Sequence, residues 1–172
     1  MKKISMFIII SILCVAIIAV LLLRTGKKDF LYLSDDNIYF GMTTKLLTDK
    51  KGEPAEVTKS VSDTTMDEYT YLEVINGHSA NCSYLFWGSR LIEASITIDD
   101  IDYNSALQMV EEIVSLQEKS YSNDHGYYQT KDIKETGKEF AISNGVQSGA
   151  TGISFDYAYS SRTLTMNAVR QK

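Results

Sequence analysis

Cysteine, proline and histidine are scarce in this chain of 172 residues, which contains two, one and two of them, respectively. Cys14 lies inside an apolar run and Cys82 is the only cysteine beyond it, so the folded region cannot form an internal disulfide. This excludes a small scaffold held together by disulfides. A composition of 44% hydrophobic and 23% charged residues is typical of a folded domain, whose stability must come from packing.

The sequence offers no pattern typical of an enzyme. His78 follows a predicted turn and His125 lies in a polar stretch, with no spacing between them or to Cys82 that is typical of zinc ligands. No Gly-x-Ser-x-Gly nucleophile motif is present. We therefore expect a non-enzymatic protein with both histidines at its surface, and a cell-envelope hydrolase is the most distant alternative.

Acidic and glycine-rich stretches also have ordinary explanations. Asp99, Asp100, Asp102 and Asp124 could offer carboxylates to Ca²⁺, but the central glycine and closing glutamate of an EF-hand loop are missing. Helix capping and a solvated turn account for them. The glycines of residues 145–152 lack the Lys-Ser/Thr that follows a phosphate-binding loop, so a hairpin loop is expected. No metal or cofactor is predicted.

The longest apolar run, Ile4–Leu23, contains 20 uncharged residues between basic flanks. At about 1.5 Å per helical residue it can cross a hydrocarbon core of about 30 Å. A cleaved secretory signal has a shorter apolar region and a small-residue cleavage site, which residues 19–24 do not provide. We predict an uncleaved signal anchor over residues 1–28 that holds a single-pass protein in the bacterial cytoplasmic membrane, with its C-terminal domain outside. Cleavage and secretion form the alternative.

The charge of the remaining chain excludes one class of partner. Five of the 17 Lys and Arg precede Asp29, which leaves 12 against all 22 Asp and Glu, a net charge of about −10. Nucleic acid is not an expected partner because its phosphates require a basic surface. An anionic membrane surface would also repel this region.

A short capped helix is predicted at the start of the domain, which we place at residues 38–172 after a linker over 29–37. Thr43 can accept a backbone hydrogen bond at the helix N-terminus. Gly52 suits a left-handed residue at the C-terminus, and Pro54 cannot continue the helix.

Beyond this helix, period-two alternation predicts a half-buried antiparallel sheet. Ile92, Ala94, Ile96 and Ile98 are expected on one strand face. Asp102 is expected to cap a long amphipathic helix over residues 103–119. The predicted strands cover residues 55–60, 67–75, 80–87, 92–98, 127–132, 140–143, 152–159 and 163–169, with turns at Asn76-Gly77, Gly88-Ser89 and Ser160-Ser161. The fold class is α+β, with about two helices packed on a mostly antiparallel sheet.

The spacing of Gly41-Met42-Thr43 and Gly52-Glu53-Pro54 resembles the signature of the SmpA/OmlA and β-lactamase-inhibitor-protein (BLIP)-like superfamily, over about residues 38–99. Lys51 replaces the usual leucine, and the region after Asp102 has no second copy of the signature. The resemblance implies a helical segment packed on an antiparallel sheet and an extracytoplasmic, non-enzymatic role in protein contact or envelope assembly. Tandem repeats could exist only as a degenerate pair.

Tyrosine is the residue type most suited to a binding surface, with eleven in the chain. Tyr69 and Tyr71 share one predicted strand face, and Tyr157 and Tyr159 share another. If either face is exposed, these rings are candidate contacts for a protein or glycan, because tyrosine buries a large area at low entropic cost. The competing interpretation packs the rings under the helices with their hydroxyls at the edge.

The sequence therefore predicts a membrane-anchored, extracytoplasmic protein-binding or envelope-assembly module of a bacterium. A secreted inhibitor-like or structural protein, released by signal cleavage, is the alternative.

Overall fold

The computed structural model describes residues 37–60, 65–121, 127–133, 139–146 and 151–170, which form an α+β fold with two helices on one face of an eight-stranded antiparallel sheet. This confirms the predicted class. The helices are α1 (Thr44–Lys51) and α2 (Tyr103–Tyr121), and the strands are β1 (Glu56–Lys59), β2 (Met66–Ile75), β3 (His78–Trp87), β4 (Arg90–Ile98), β5 (Tyr127–Ile133), β6 (Phe140–Val146), β7 (Thr151–Ala158) and β8 (Thr163–Arg170).

The proposed anchor, Ile4–Leu23, lies outside the described residues. Within the described part of the chain, neither helix is long and apolar enough to cross a membrane.

The sheet has the order β1-β2-β3-β4-β8-β7-β6-β5, which divides it into two halves of the same construction. In each half a helix precedes four antiparallel strands connected in sequence. The halves meet where β4 pairs with β8, from Glu93 with Val169 to Ile98 with Leu164. The second half therefore repeats the order of elements of the first without repeating its Gly-Met-Thr and Gly-x-Pro sequence signature.

Helix α1 is capped as predicted at its N-terminus and differently at its C-terminus. The Thr43 hydroxyl oxygen accepts a hydrogen bond from the Leu46 N–H at 3.3 Å. Gly52 donates its N–H to the Thr48 carbonyl at 2.8 Å, with φ 80° and ψ −160°. These angles differ from the left-handed helical conformation that the sequence suggested, and they lie in a region open essentially to glycine alone.

The two turns of the first half have the dihedral angles of tight hairpins. Asn76 and Gly77 have φ of 49° and 83°, and Gly88 and Ser89 have φ of 54° and 63°. Positive φ at both central residues suits the right-handed twist of the strands that they connect. Both predicted turns are confirmed.

A β-bulge corrects the predicted face of one residue in β4. Leu85 pairs with Glu93, whereas the next residue, Phe86, pairs with Leu91, so β4 contains one extra residue here. Because of this shift Leu91 is fully buried and Ile92 is only half-buried. The predicted alternation holds for Ala94, Ile96 and Ile98, which are buried.

Helix α2 begins at the predicted cap and packs on the sheet. The Asp102 Oδ1 accepts hydrogen bonds from the N–H groups of Asn104 at 3.0 Å and Ser105 at 3.1 Å. The Tyr103 ring lies edge-on to the rings of Phe140 and Tyr157, each at 5.7 Å between centroids. The buried stripe of the helix consists of Ala106, Met109, Val110, Ile113, Val114 and Gln117.

One continuous core lies between the helices and the sheet, formed by alternate residues of the strands. Cys82 is part of this core. The largest fully buried side chains are Tyr84, Phe86, Phe155, Met42, Leu47, Leu91, Ile96, Ile98, Ile101, Ile142 and Ile153. The other face of the sheet, here called the open face, carries the intervening residues of each strand.

Candidate protein-interaction surface

Small polar side chains form a continuous row across the middle of the open face. Register pairs connect one residue from every strand, and seven of the eight residues are Ser, Thr or Asn. The row is Glu56, Thr70, Ser83, Ser95, Asn167, Ser154, Ser143 and Thr130. Within it the Ser95 hydroxyl donates to Asn167 Oδ1 at 2.7 Å. The centre of the open face is therefore polar and free of large side chains.

Apolar side chains lie at one end of the same face, and we call this group the Trp87 patch: Met66, Leu85, Trp87 and Val169. Met66 pairs with Trp87, and Leu85 is connected to Val169 through Glu93. Trp87 is 42% exposed. A large exposed aromatic side chain beside further apolar residues is typical of the core of a protein interface.

Acidic side chains dominate the charge of the open face. By register, its acidic residues are Glu56, Glu68, Glu93, Asp132 and Asp156. Among the open-face positions of the described strands, Arg90 is the single basic residue, and its guanidinium donates to the Gly41 carbonyl at 3.0 Å. Glu68 accepts a hydrogen bond from the Ser83 hydroxyl. Glu68 and Glu93 outnumber Arg90, which pairs with Trp87, so the surroundings of the Trp87 patch carry a net negative charge that complements basic side chains.

The structure places the candidate tyrosines of β2 on the helix side of the sheet. Tyr71 is buried, with its hydroxyl 3.3 Å from the Gly52 carbonyl, to which it donates, and its ring edge-on to Tyr84 at 5.9 Å. Burial raises the pKa of Tyr71. Tyr69 is half-buried, with its ring 5.3 Å from Phe86. Only Tyr69 of this pair retains surface that a partner could contact.

The two candidate tyrosines near the end of β7 differ in their exposure to solvent. Tyr157 is buried, its ring stacks on Phe140 at 5.5 Å, and its hydroxyl donates to the Ile101 carbonyl at 3.1 Å. Burial raises the pKa of Tyr157. Tyr159 lies in the turn after β7 and is 47% exposed. The four candidate tyrosines therefore form no common exposed surface.

The other polar candidates are dispersed over the described residues. His78 begins β3, and Asp102 caps α2, where hydrogen bonds from Ser105 hold the pKa of Asp102 below its ordinary value. His125, Asp124 and residues 147–150 of the glycine stretch lie outside the described residues. No group of three or more His, Cys, Asp or Glu is placed to hold a metal ion within the described ranges.

Sequence reasoning missed Leu72, Val74 and Trp87 as surface residues. The signal was present in β2: if Tyr69 and Tyr71 face the core, then Leu72 and Val74 must face away from it on alternate residues. Leu72 is 75% exposed and Val74 is 73% exposed.

No protein-family model matches the chain, and neither the curated proteins nor the solved structures contain a significant match to it.

Proposed function

We propose that the chain is a membrane-anchored, extracytoplasmic module that binds a protein partner and carries out no catalysis. The Trp87 patch on the open face is the observation that carries this proposal. An exposed tryptophan among apolar residues favours protein contact, because such residues contribute a large share of binding free energy when a partner covers them.

The charge around the Trp87 patch favours a particular kind of partner surface. Glu68 and Glu93 lie on the open face beside Leu85, one strand away on either side. A partner with an apolar centre and basic side chains at its rim would pair with these carboxylates. This chemistry would give an association rate that decreases as salt concentration rises.

Anchoring is supported by the length of Ile4–Leu23, which is enough to cross a hydrocarbon core as a helix. The rest of the chain carries a strong negative charge. An acidic domain held close to an anionic membrane is repelled by the lipid headgroups. Such repulsion would keep the open face available to a protein partner in the envelope.

Site-specific photo-crosslinking in cells that naturally contain the chain tests this function. A photoreactive amino acid at Trp87 or at Val169 should capture the same partner from the envelope. Ala141 and Thr165 lie on the open face in the second half of the sheet, away from the patch and from Leu72, and provide matched control positions. Equal capture at all four positions, or capture at none of them, would contradict the proposed use of this surface.

A further inference from the structure

Only half of strand β2 is covered on its outer side by another described strand. β1 pairs with Asp67–Thr70, whereas β3 pairs with all of Met66–Ile75. The segment Tyr71–Ile75, here called the free half of β2, therefore has a described strand on one side only. Pro54, which has no N–H, lies in the segment that leaves this edge.

The backbone groups of Leu72 and Val74 point outward from the sheet. The carbonyls of Thr70 and Met66 accept hydrogen bonds on the β1 side, from Ala55 N–H at 2.8 Å and Ser60 N–H at 3.1 Å. Alternate residues of a strand direct their N–H and C=O to the same side. Leu72 and Val74 therefore present two donors and two acceptors along the outer edge.

The side chains of the free half of β2 do not protect this edge. Leu72 and Val74 are the two most exposed large apolar residues of the described chain. Natural sheets usually protect an edge with charged side chains, proline or a bulge. On the opposite edge of this sheet, Gln129, Thr130, Lys131 and Asp132 of β5 are exposed, and all four are polar or charged.

A groove of about 500 Å³ runs beside the free half of β2. Its other wall is formed by Lys50, Lys51 and Glu53, at and just beyond the end of α1. Lys51 holds this wall to the strand through an ion pair with Glu73, with 2.6 Å between Nζ and Oε1. The Lys51 side chain is 3% exposed, so the pair is a fixed part of the groove.

We propose that the free half of β2 binds an extended segment of another protein. This segment would pair with β2 as an extra strand, in line with β1. Main-chain hydrogen bonds to Leu72 and Val74 would supply affinity, as in other cases of strand addition. Alternate apolar side chains of the segment would cover Leu72 and Val74 on the open face. Its remaining side chains would be polar, because they enter a groove whose wall carries charges of both signs, at Lys50 and Glu53.

A second copy of this chain is a poorer occupant of the same edge. Antiparallel twofold pairing through Tyr71–Ile75 would bring Glu73 of each copy opposite its equivalent. Like charges directly opposite each other destabilise a strand pair. A separate extended segment avoids this repulsion.

This site is distinct from the Trp87 patch, so it does not rest on the proposed use of that patch. Met66 and Leu72 are six residues apart on β2, which corresponds to about 20 Å along the strand. Failure of crosslinking at Trp87 would not count against the strand-addition site. Failure of peptide binding at the free half of β2 would likewise not count against the Trp87 patch.

The test uses the full chain in nanodiscs and a fluorescent, acetylated peptide in which valine and threonine alternate and one end carries aspartates. Strand addition depends mainly on the backbone, so this generic peptide should bind saturably. It should also slow amide hydrogen exchange at Leu72 and Val74 by about tenfold or more, while leaving exchange at Thr130 and Asp132 unchanged.

Val74→Pro removes one outward N–H without removing a bond to β3, and should weaken peptide binding about five- to tenfold. Val57→Pro makes the same change on β1, outside the groove, and should leave binding unchanged. Leu72→Lys places a charge on the edge, which should also weaken peptide binding. It provides a second variant if Val74→Pro fails to fold.

Three results would overturn the proposal. The first is no peptide binding at millimolar concentration, and the second is equal binding by the Leu72→Lys variant and the original chain. The third is self-association of the chain, measured by ultracentrifugation, that Leu72→Lys abolishes, since this would identify a second copy as the occupant.

Discussion

Substitutions of Gly52 test which backbone conformation ends α1, the left-handed helical one or the one observed. At φ 80° and ψ −160°, Gly52 occupies a conformation that residues with a Cβ rarely adopt. An added Cβ would meet no heavy atom within 4 Å, so the cost of a substitution comes from the backbone conformation and not from a clash.

The expected magnitude follows from this conformation. Forcing a non-glycine residue into a sparsely populated region costs about 1–3 kcal/mol. Reduced freedom of the unfolded chain offsets about 0.4–1 kcal/mol of this for alanine. Gly52→Ala should therefore lower the free energy of unfolding by about 1–2 kcal/mol, and Gly52→Val by at least as much because branching at Cβ restricts the backbone further.

Chemical denaturation of Gly52→Ala, Gly52→Val and Gly52→Asn measures these costs. Asparagine tolerates the left-handed helical conformation, but it has no such advantage at ψ −160°. Gly52→Asn should therefore be about as unstable as Gly52→Ala. A stability close to that of the original chain for Gly52→Asn alone would show that the helix ends in the left-handed conformation and would refute the reasoning.

Substitutions at three further positions test the cap of α2 and the core. Asp102→Ala should lower the melting temperature at neutral pH, whereas Asp102→Asn should lower it less because asparagine also caps helices. Hydrogen bonds from Ser105 lower the pKa of Asp102 in the folded protein. The stability that the Asp102 carboxylate contributes is therefore present above about pH 4 and is lost as pH falls through the folded pKa. A stability difference between the original chain and Asp102→Asn that does not change over this pH range would contradict this expectation. Tyr157→Phe should cost about 1–2 kcal/mol in urea unfolding because it leaves the buried Ile101 carbonyl unpaired, and no change would exclude that bond. Asn144 is buried with no hydrogen-bond partner for its side-chain atoms among the described residues, so Asn144→Leu should raise the melting temperature, and a large decrease would reveal a polar partner.

Local structure was predictable where a single residue determines the backbone. Asn76-Gly77 specified a tight hairpin because both residues tolerate positive φ, and Thr43 and Asp102 specified helix starts because their oxygens accept backbone hydrogen bonds. Alternation was also informative in β4, where Ala94, Ile96 and Ile98 lie on one face as predicted and are buried.

Features that depend on long-range pairing were not predictable. The bulge beside Leu85 shifts register through the pairing of two strands, and the sequence of β4 alone gives no sign of it. The pairing of β4 with β8 joins residues that are 66 to 76 positions apart in the sequence, from Ile98 with Leu164 to Glu93 with Val169. The free half of β2 depends on the length of β1, which pairs only with Asp67–Thr70.

Intact-mass analysis and fractionation of the full chain, expressed in a bacterium, test most directly the claim that this is an anchored module. The account predicts that the mature protein retains Met1 or Lys2, stays with the membrane through a carbonate wash, and has its C-terminal domain open to protease added to spheroplasts. A mature protein that begins near Arg24–Asp29 and accumulates in the medium would contradict the anchor.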